Sequence, residues 1–225
     1  VSVRELEVDQ NGSLVYGVFD GVDLRSESLA DRFTTTVAQG TFKARHRFSE
    51  SFEVTALAGY SKSVFNNYER LTVNMDAIDT DNYTIDFRDG GAIPIISYGI
   101  DVSNPANFQF APSVTVPGGN TTVLGNFNTR NRRAETVNKS FELNGVWDVT
   151  DGFKVLMGGQ YRTSDFSAVF RTVPGALQNP RALSAGTTTG SFSRQVTGLD
   201  SLIAGGTASF VGVDFDAWKA ATGYT

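Results

Sequence analysis

Few side chains in this chain could do covalent chemistry. There is one histidine, His46, flanked by Arg45 and Arg47, and there is no cysteine. A nucleophilic triad or a His/Cys metal site needs partners that His46 does not have, so it is expected to be a strand residue close to a turn. Carboxylates come in pairs, Asp79 with Asp81 and Asp214 with Asp216, and such pairs can bind Ca²⁺ or act as acid and base. Asp76, Asp79 and Asp81 lack the glycine and distal glutamate of a Ca²⁺ loop. Loop solvation accounts for the first pair and helix capping for the second. The steps Gly90-Gly91, Gly118-Gly119 and Gly205-Gly206 have no following Lys-Ser/Thr and no strand-to-helix setting, so they are turns, not phosphate cradles. The expectation is a protein that is not an enzyme and carries no metal and no cofactor.

Non-covalent binding has better candidates. Tyr83, Phe87, Phe108 and Phe110, with Arg88 beside Phe87, could stack on sugar rings or apolar ligands, or simply pack loops together. Arg130, Arg132 and Arg133 could meet an anion, or be a solvated approach to a strand. The formal charge of −5 and pI near 4.9 argue against nucleic acid, because phosphate binding wants a basic surface. Absence of cysteine also excludes a disulfide framework.

These residues hang on elements with a clear period. Over 135–171, Val137, Phe141, Leu143, Gly145, Trp147 and Val149 share one face with Lys139 as the exception, and Thr136, Asn138, Ser140, Glu142, Asn144 and Asp148 share the other with Val146 as its exception. A turn at Thr150-Asp151-Gly152 leads into Phe153, Val155, Met157, Gly159 and Tyr161, alternating with Lys154, Gln160 and Arg162. A second hairpin covers 32–68. Ala38, Phe42, Ala44 and Phe48 alternate there with Gln39, Thr41, Lys43, Arg45 and Arg47. After Ser49-Glu50-Ser51, Phe52, Val54, Ala56, Ala58 and Tyr60 alternate with Glu53, Thr55, Ser61 and Ser63, while Leu57 and Phe65 break the pattern.

Alternation of this length, with one apolar and one polar face, suits the wall of a large antiparallel barrel with a wet lumen. No apolar run approaches the ~18 residues of a membrane helix, but spanning strands need only ~9–11 residues and average to a polar composition, as the mean hydropathy of −0.17 allows. The 12% aromatic content fits interfacial girdles and a β-sandwich core alike. Short turns alternate with long connections at about 69–133 and 172–225, the asymmetry of outer-membrane barrels. A further hairpin is expected at the N-terminus, where Asp9-Gln10-Asn11-Gly12 separates Val3, Leu6 and Val8 from Leu14, Tyr16 and Val18. A short helix should close the chain, capped by Asp214 or Asp216 and ended by Gly223. Val1-Ser2-Val3-Arg4-Glu5 does not open as a signal peptide, as expected of a mature form or an internal piece.

Several short motifs, in order, resemble the TonB-dependent outer-membrane receptors of Caulobacter-, Xanthomonas- and Sphingomonas-type bacteria. They are Gly21–Ser28, Gly59-Tyr60-Ser61-Lys62-Ser63, Asp86-Phe87-Arg88-Asp89 with Pro94, Ser97-Tyr98-Gly99, Asp101-Val102 and Asn104-Pro105-Ala106-Asn107, and Val213-Asp214-Phe215-Asp216. The resemblance implies energy-coupled uptake of an oligosaccharide or an iron chelate across a bacterial outer membrane. It implies a barrel of about twenty-two strands filled by a plug domain. Residues 1–225 are expected to be an internal stretch of that barrel, without a plug. The implied partners are the rest of the barrel and its plug, the inner-membrane TonB complex, outer-membrane lipid and lipopolysaccharide, and the ligand itself. A secreted carbohydrate-binding β-sandwich, with Trp147 and Phe141 packed under a second sheet, is the alternative. A barrel enzyme would need more than His46 offers.

Overall fold

The structure is a computed structural model and describes residues 1–115, 119–174, 183, 186–198 and 209–224. In chain order its strands are β1 (Ser2–Val8), β2 (Leu14–Asp20), β3 (Val22–Arg47), β4 (Phe52–Thr80), β5 (Tyr83–Asp86), β6 (Ile95–Ser97), β7 (Ala111–Thr115), β8 (Thr121–Leu124), β9 (Asn126–Thr150), β10 (Phe153–Thr172), β11 (Ser193–Thr197) and β12 (Ser209–Val213), followed by a helix, α1 (Phe215–Thr222). The chain is therefore mostly antiparallel β with one short helix near its C-terminal end. Hydrogen-bonded order is β1-β2-β5-β6 in one sheet and β10-β9-β4-β3 in another, with β7-β8 and β11-β12 as separate pairs. Among the described residues no helix is long and apolar enough to cross a membrane.

The chain divides into two compact units, and the division falls inside β3, β4 and β9. Val1–Ala30, Leu71–Thr129 and Val173–Thr225 make the first; Asp31–Arg70 and Arg130–Thr172 make the second. The second unit thus contains the two hairpins expected at 32–68 and 135–171. The stretch at 69–133, expected as a long irregular connection, is different: β4 runs on to Thr80, β9 begins at Asn126, and β5 to β8 lie between them. The cause is visible in β4, where Leu71, Val73, Met75 and Ala77 continue a period of two and are all buried. In 172–225 the described residues form β11, β12 and α1; Gly118, Gly205 and Gly206 lie outside the described residues.

The second unit is an open four-stranded sheet. In β9 and β10 the register pairs Trp147 with Val155, Gly145 with Met157, Leu143 with Gly159 and Phe141 with Tyr161, so all of these share a face. On the neighbouring hairpin His46 lies edge-on to Phe48 and Phe48 stacks on Phe52, at 4.4 and 5.6 Å between ring centroids. A Cβ on Gly145 would lie 3.7 Å from the Phe52 ring, which places Phe52 on that same face. The opposite face is polar near the turns and the middle of the strands, with Leu156, Phe166 and Phe170 exposed on it as exceptions. Arg45 Nε bonds Glu53 Oε1 at 2.6 Å, Lys154 pairs with Asp148 at 3.0 Å, and Asn138 Nδ2 donates to Ser61 Oγ at 3.2 Å. Asn67, Ala134 and Gly145 are the only buried members of this unit among the described residues. A sheet with two exposed faces has no second layer, which a water-soluble β-fold normally supplies.

The first unit has a core. Leu71, Val73 and Met75 of β4, Phe108, Phe110, Phe127, Phe192, Val211, Val213 and Trp218 form one buried cluster. Trp218 is fully buried and packs edge-on against Phe110 and Phe127, at 6.0 and 5.3 Å. Helix α1 starts where Asp214 Oδ1 accepts the amides of Asp216 and Ala217, and ends at Gly223, whose φ of 65° is left-handed. The β1–β2 turn is closed by Asp9, whose Oδ1 accepts the amides of Asn11 and Ser13 at 2.8 and 2.9 Å. Gly12 takes the positive φ of 81°.

Candidate functional site

A cleft of about 780 Å³ opens in the first unit. It is lined by Asp23, Leu24 and Arg25 of β3, Asp76, Ile78 and Asp79 of β4, and the 120–124 segment that contains β8. The two long strands set its floor because polar side chains interrupt their apolar run. Arg25 clamps Asp76 in a two-pronged pair, Nε to Oδ1 at 2.6 Å and a terminal nitrogen to Oδ2 at 3.0 Å. The hydrogen bonds that Arg25 donates to Asp76 raise the pKa of its guanidinium above the ordinary value. The amide of Gly125 donates to Asp76 Oδ2 at 2.7 Å, so both oxygens of this largely buried carboxylate are engaged. Glycine is needed at 125: φ is 74°, and a Cβ there would lie 2.6 Å from the Asn74 carbonyl oxygen. At the rim the Asp79 amide, held in a left-handed turn with φ of 55°, donates to Asp23 Oδ1 at 3.1 Å.

Chemically the cleft offers acceptors: the carboxylates of Asp23 and Asp79 and the hydroxyls of Thr121 and Thr122. Such a wall suits hydroxyl-rich or cationic ligands held without covalent chemistry. Among the described residues no three His, Cys, Asp or Glu side chains are grouped to hold a metal ion. Sequence reasoning missed Arg25 and met Asp76 only as a failed Ca²⁺ ligand. The signal was weak, because Asp76 falls in the same phase as Thr72 and Asn74, opposite Leu71, Val73, Met75 and Ala77, where a carboxylate reads as solvated.

The five aromatic and cationic candidates do not converge. Phe108 and Phe110, offered as ligand platforms or as loop packing, are 2% and 3% exposed and belong to the core, where Phe110 lies edge-on to Phe192 and Trp218. They pack the unit, because the apolar side of β4 needs that cover. Tyr83 is half-buried and edge-on to Tyr98 at 6.0 Å, and burial raises its hydroxyl above the usual phenol range. Phe87 is half-buried, its amide bound to the Val15 carbonyl. Arg88 lies 3.8 Å over the Tyr16 ring and is bonded to both oxygens of Asp86, at 2.9 and 2.6 Å. This clamp and the Arg88 backbone amide hold the Asp86 carboxyl down at about 2.

The arginine cluster at 130–133 is split by the strand's period. Arg133 pairs with Glu135 at 3.5 Å. Arg132, on the opposite face, lies over the rings of Phe65 and Phe170 at 5.8 and 5.5 Å, with Phe33 against Phe65. Phe65 therefore breaks the alternation because it joins an aromatic group on the otherwise polar face. His46 packs on Phe48, in the apolar row where it was expected.

No protein-family model matches the chain, and no curated protein matches it.

Proposed function

We propose that the chain supplies wall and ligand-facing loops of a TonB-dependent outer-membrane transporter. Its part in uptake is non-covalent: capture by the first unit and passage along the polar face of the second. The observation that carries this is the apolar band of the second unit. From Phe52 to Tyr60 it extends about 26 Å along the strand at ~3.3 Å per residue, or about 20 Å across a bilayer at the ~40° tilt of barrel strands. Aromatic residues stand at both ends of the band. Phe48, Phe52 and Phe153 lie beside the turns, and Phe42, Tyr60, Phe141 and Tyr161 lie at the far end; all but Phe52 are exposed. Lys62, Lys139 and Thr163 follow where the band stops, as expected where strands emerge into headgroups.

Four strands spaced ~4.8 Å apart give this band a footprint of about 500 Å², a size at which an exposed apolar patch is often a functional surface. In hydrocarbon the open edges of β3 and β10 need strand partners, since unpaired backbone groups there cost several kcal/mol each. The rest of the barrel supplies them. A carbohydrate-binding sandwich is less well supported. It would cover Phe141 and Trp147, which are 48% and 45% exposed, and the described residues of this unit form one sheet. For the ligand, the acceptor-lined cleft favours an oligosaccharide over an anionic iron chelate.

Cell fractionation and heat-modifiable gel migration test the proposal on the full-length protein. The expected result is outer-membrane localisation, extraction only by detergent, and a mobility shift on boiling. A protein recovered in the soluble fraction with no shift would end it.

A further inference from the structure

The apolar face of the second unit is not a uniform band. It contains a groove of about 650 Å³ whose floor is glycine and whose walls are Phe52, Phe141, Met157 and Tyr161. Met157 lies over Gly145, and at Gly159 a Cβ would meet nothing within 4 Å, so the depression opens at Gly159, where there is no side chain. One step beyond the Phe141–Tyr161 pair, the register puts Lys139 opposite Thr163 on the same face. Lys139 is exposed, and among the described residues it has no ion pair. The other lysine at this level, Lys62, is held by Glu135 at 2.6 Å. Asp165 lies diagonally beyond Lys139, opposite Val137, and does not pair with it.

We propose that this groove is a lipid site: one acyl chain lies over Gly159 and along Met157, and the lipid's phosphate meets the ammonium of Lys139. The inference rests on the apolar face meeting a bilayer. It goes further by selecting among lipids, because a smooth band would accept any of them. Two features make the selection. The glycine floor gives a chain a fixed lane with more contact than a flat wall offers. The free cation at one end of the lane, in a face otherwise uncharged from Phe52 to Tyr60, is complementary to an anionic head and indifferent to a zwitterionic one.

Trp147 reports on the site. It lies two residues from Gly145 on the same face, whereas Trp218 is fully buried in the first unit. The full-length protein is reconstituted in phosphatidylcholine vesicles holding a small fraction of lipid brominated on its acyl chains, either phosphatidylglycerol or phosphatidylcholine, and Trp fluorescence is read. Brominated phosphatidylglycerol should associate about five-fold more strongly than brominated phosphatidylcholine, the value of one ammonium–phosphate contact at a membrane surface. The ratio should fall to about one in Lys139→Gln and in Gly159→Leu, and rise in Asp165→Asn. Gly159→Leu enters open space in a strand that glycine weakens, so it should fold. Equal quenching by both lipids in the unmodified protein, or a preference that survives Lys139→Gln, overturns the lipid site and leaves the barrel standing. No quenching by either lipid means the face does not meet a bilayer, and overturns both.

Discussion

The first unit buries Trp218, Phe192 and Val213 completely, while the second leaves Phe42, Tyr161 and Phe170 about two-thirds exposed. Both are built from alternating strands, and three of those strands contribute residues to both. Alternation gives a strand one apolar face but says nothing of what covers it. In the first unit the chain supplies the cover itself, through α1, β12 and the Pro105–Phe110 segment folded over β4. In the second unit it supplies none: the row bounded by Phe52 and Tyr60 and by Phe153 and Tyr161 stays uncovered on one face, and Leu156, Phe166 and Phe170 are exposed on the other. Similar strands thus differ in whether the chain itself covers their apolar face.

The difference can be broken or sharpened by substitution. Trp218→Ala should give the largest loss, about 3–5 kcal/mol, because it opens a cavity under α1 that the surrounding rings cannot fill. The amides of Val211 and Val213, bound to Val102 O and Ser28 Oγ, should then exchange much faster, while those of Leu143 and Tyr161 stay as they were. Unchanged protection at Val211 would remove Trp218 from the role given to it. Trp218→Phe should lose less, since it keeps an aromatic ring and deletes a buried indole N–H that has no partner among the described residues.

Leu143→Arg comes next. With lipid against this face, an arginine near the middle of the band should cost about 2–4 kcal/mol, measured by urea unfolding from phospholipid vesicles. Ser140→Arg, on the polar face of the same strand, should change stability by less than about 0.5 kcal/mol. Equal losses at the two positions would mean that the two faces see the same surroundings, and the contrast would collapse.

The smallest effect is electrostatic and lies in the first unit. The folded-state value of Asp86 is about 2, below the ~3.9 of an unfolded aspartate. Its bond to Arg88 therefore contributes fully above about pH 4 and is lost as pH falls through about 2. Following the Asp86 carboxyl carbon by NMR should give a midpoint near 2, moving up toward 4 in Arg88→Gln. A midpoint near 4 in the unmodified protein would show that the clamp seen around Tyr16 does not persist in solution. Asp86 is exposed, so global stability should barely respond.

Much of the fold was legible because its signals are local. The two hairpins, the turns at Ser49–Ser51 and Asp151–Gly152, the β1–β2 turn and the Asp214–Gly223 helix each depend on residues a few positions apart. The extension of β4 to Thr80 was less so, because Asn74, Asp76 and Thr80 are polar residues buried within it. Asn74 Nδ2 donates to Asn126 Oδ1, Asp76 is clamped by Arg25, and Thr80 Oγ1 donates to Val22 O. All three partners are roughly 50 residues away along the chain, and no local pattern announces them. The sequence left Phe108 and Phe110 between binding and packing for the same reason: nothing local says whether something lies over an aromatic residue in a connection.

By itself the sequence determined the alternation of the long strands, the places where they turn, and the residues that share a face. Those follow from backbone geometry, in which every second side chain points the same way. Only the tertiary structure decided which apolar faces are covered by the chain and which are left open. It also decided that Arg132 and Arg133 part to opposite faces, that Arg25 meets Asp76, and that Gly159 is left open between Met157 and Tyr161 while Met157 covers Gly145. Each of these depends on strand pairing and register, which set distances between residues far apart in the chain, and a one-residue change of register would exchange every face.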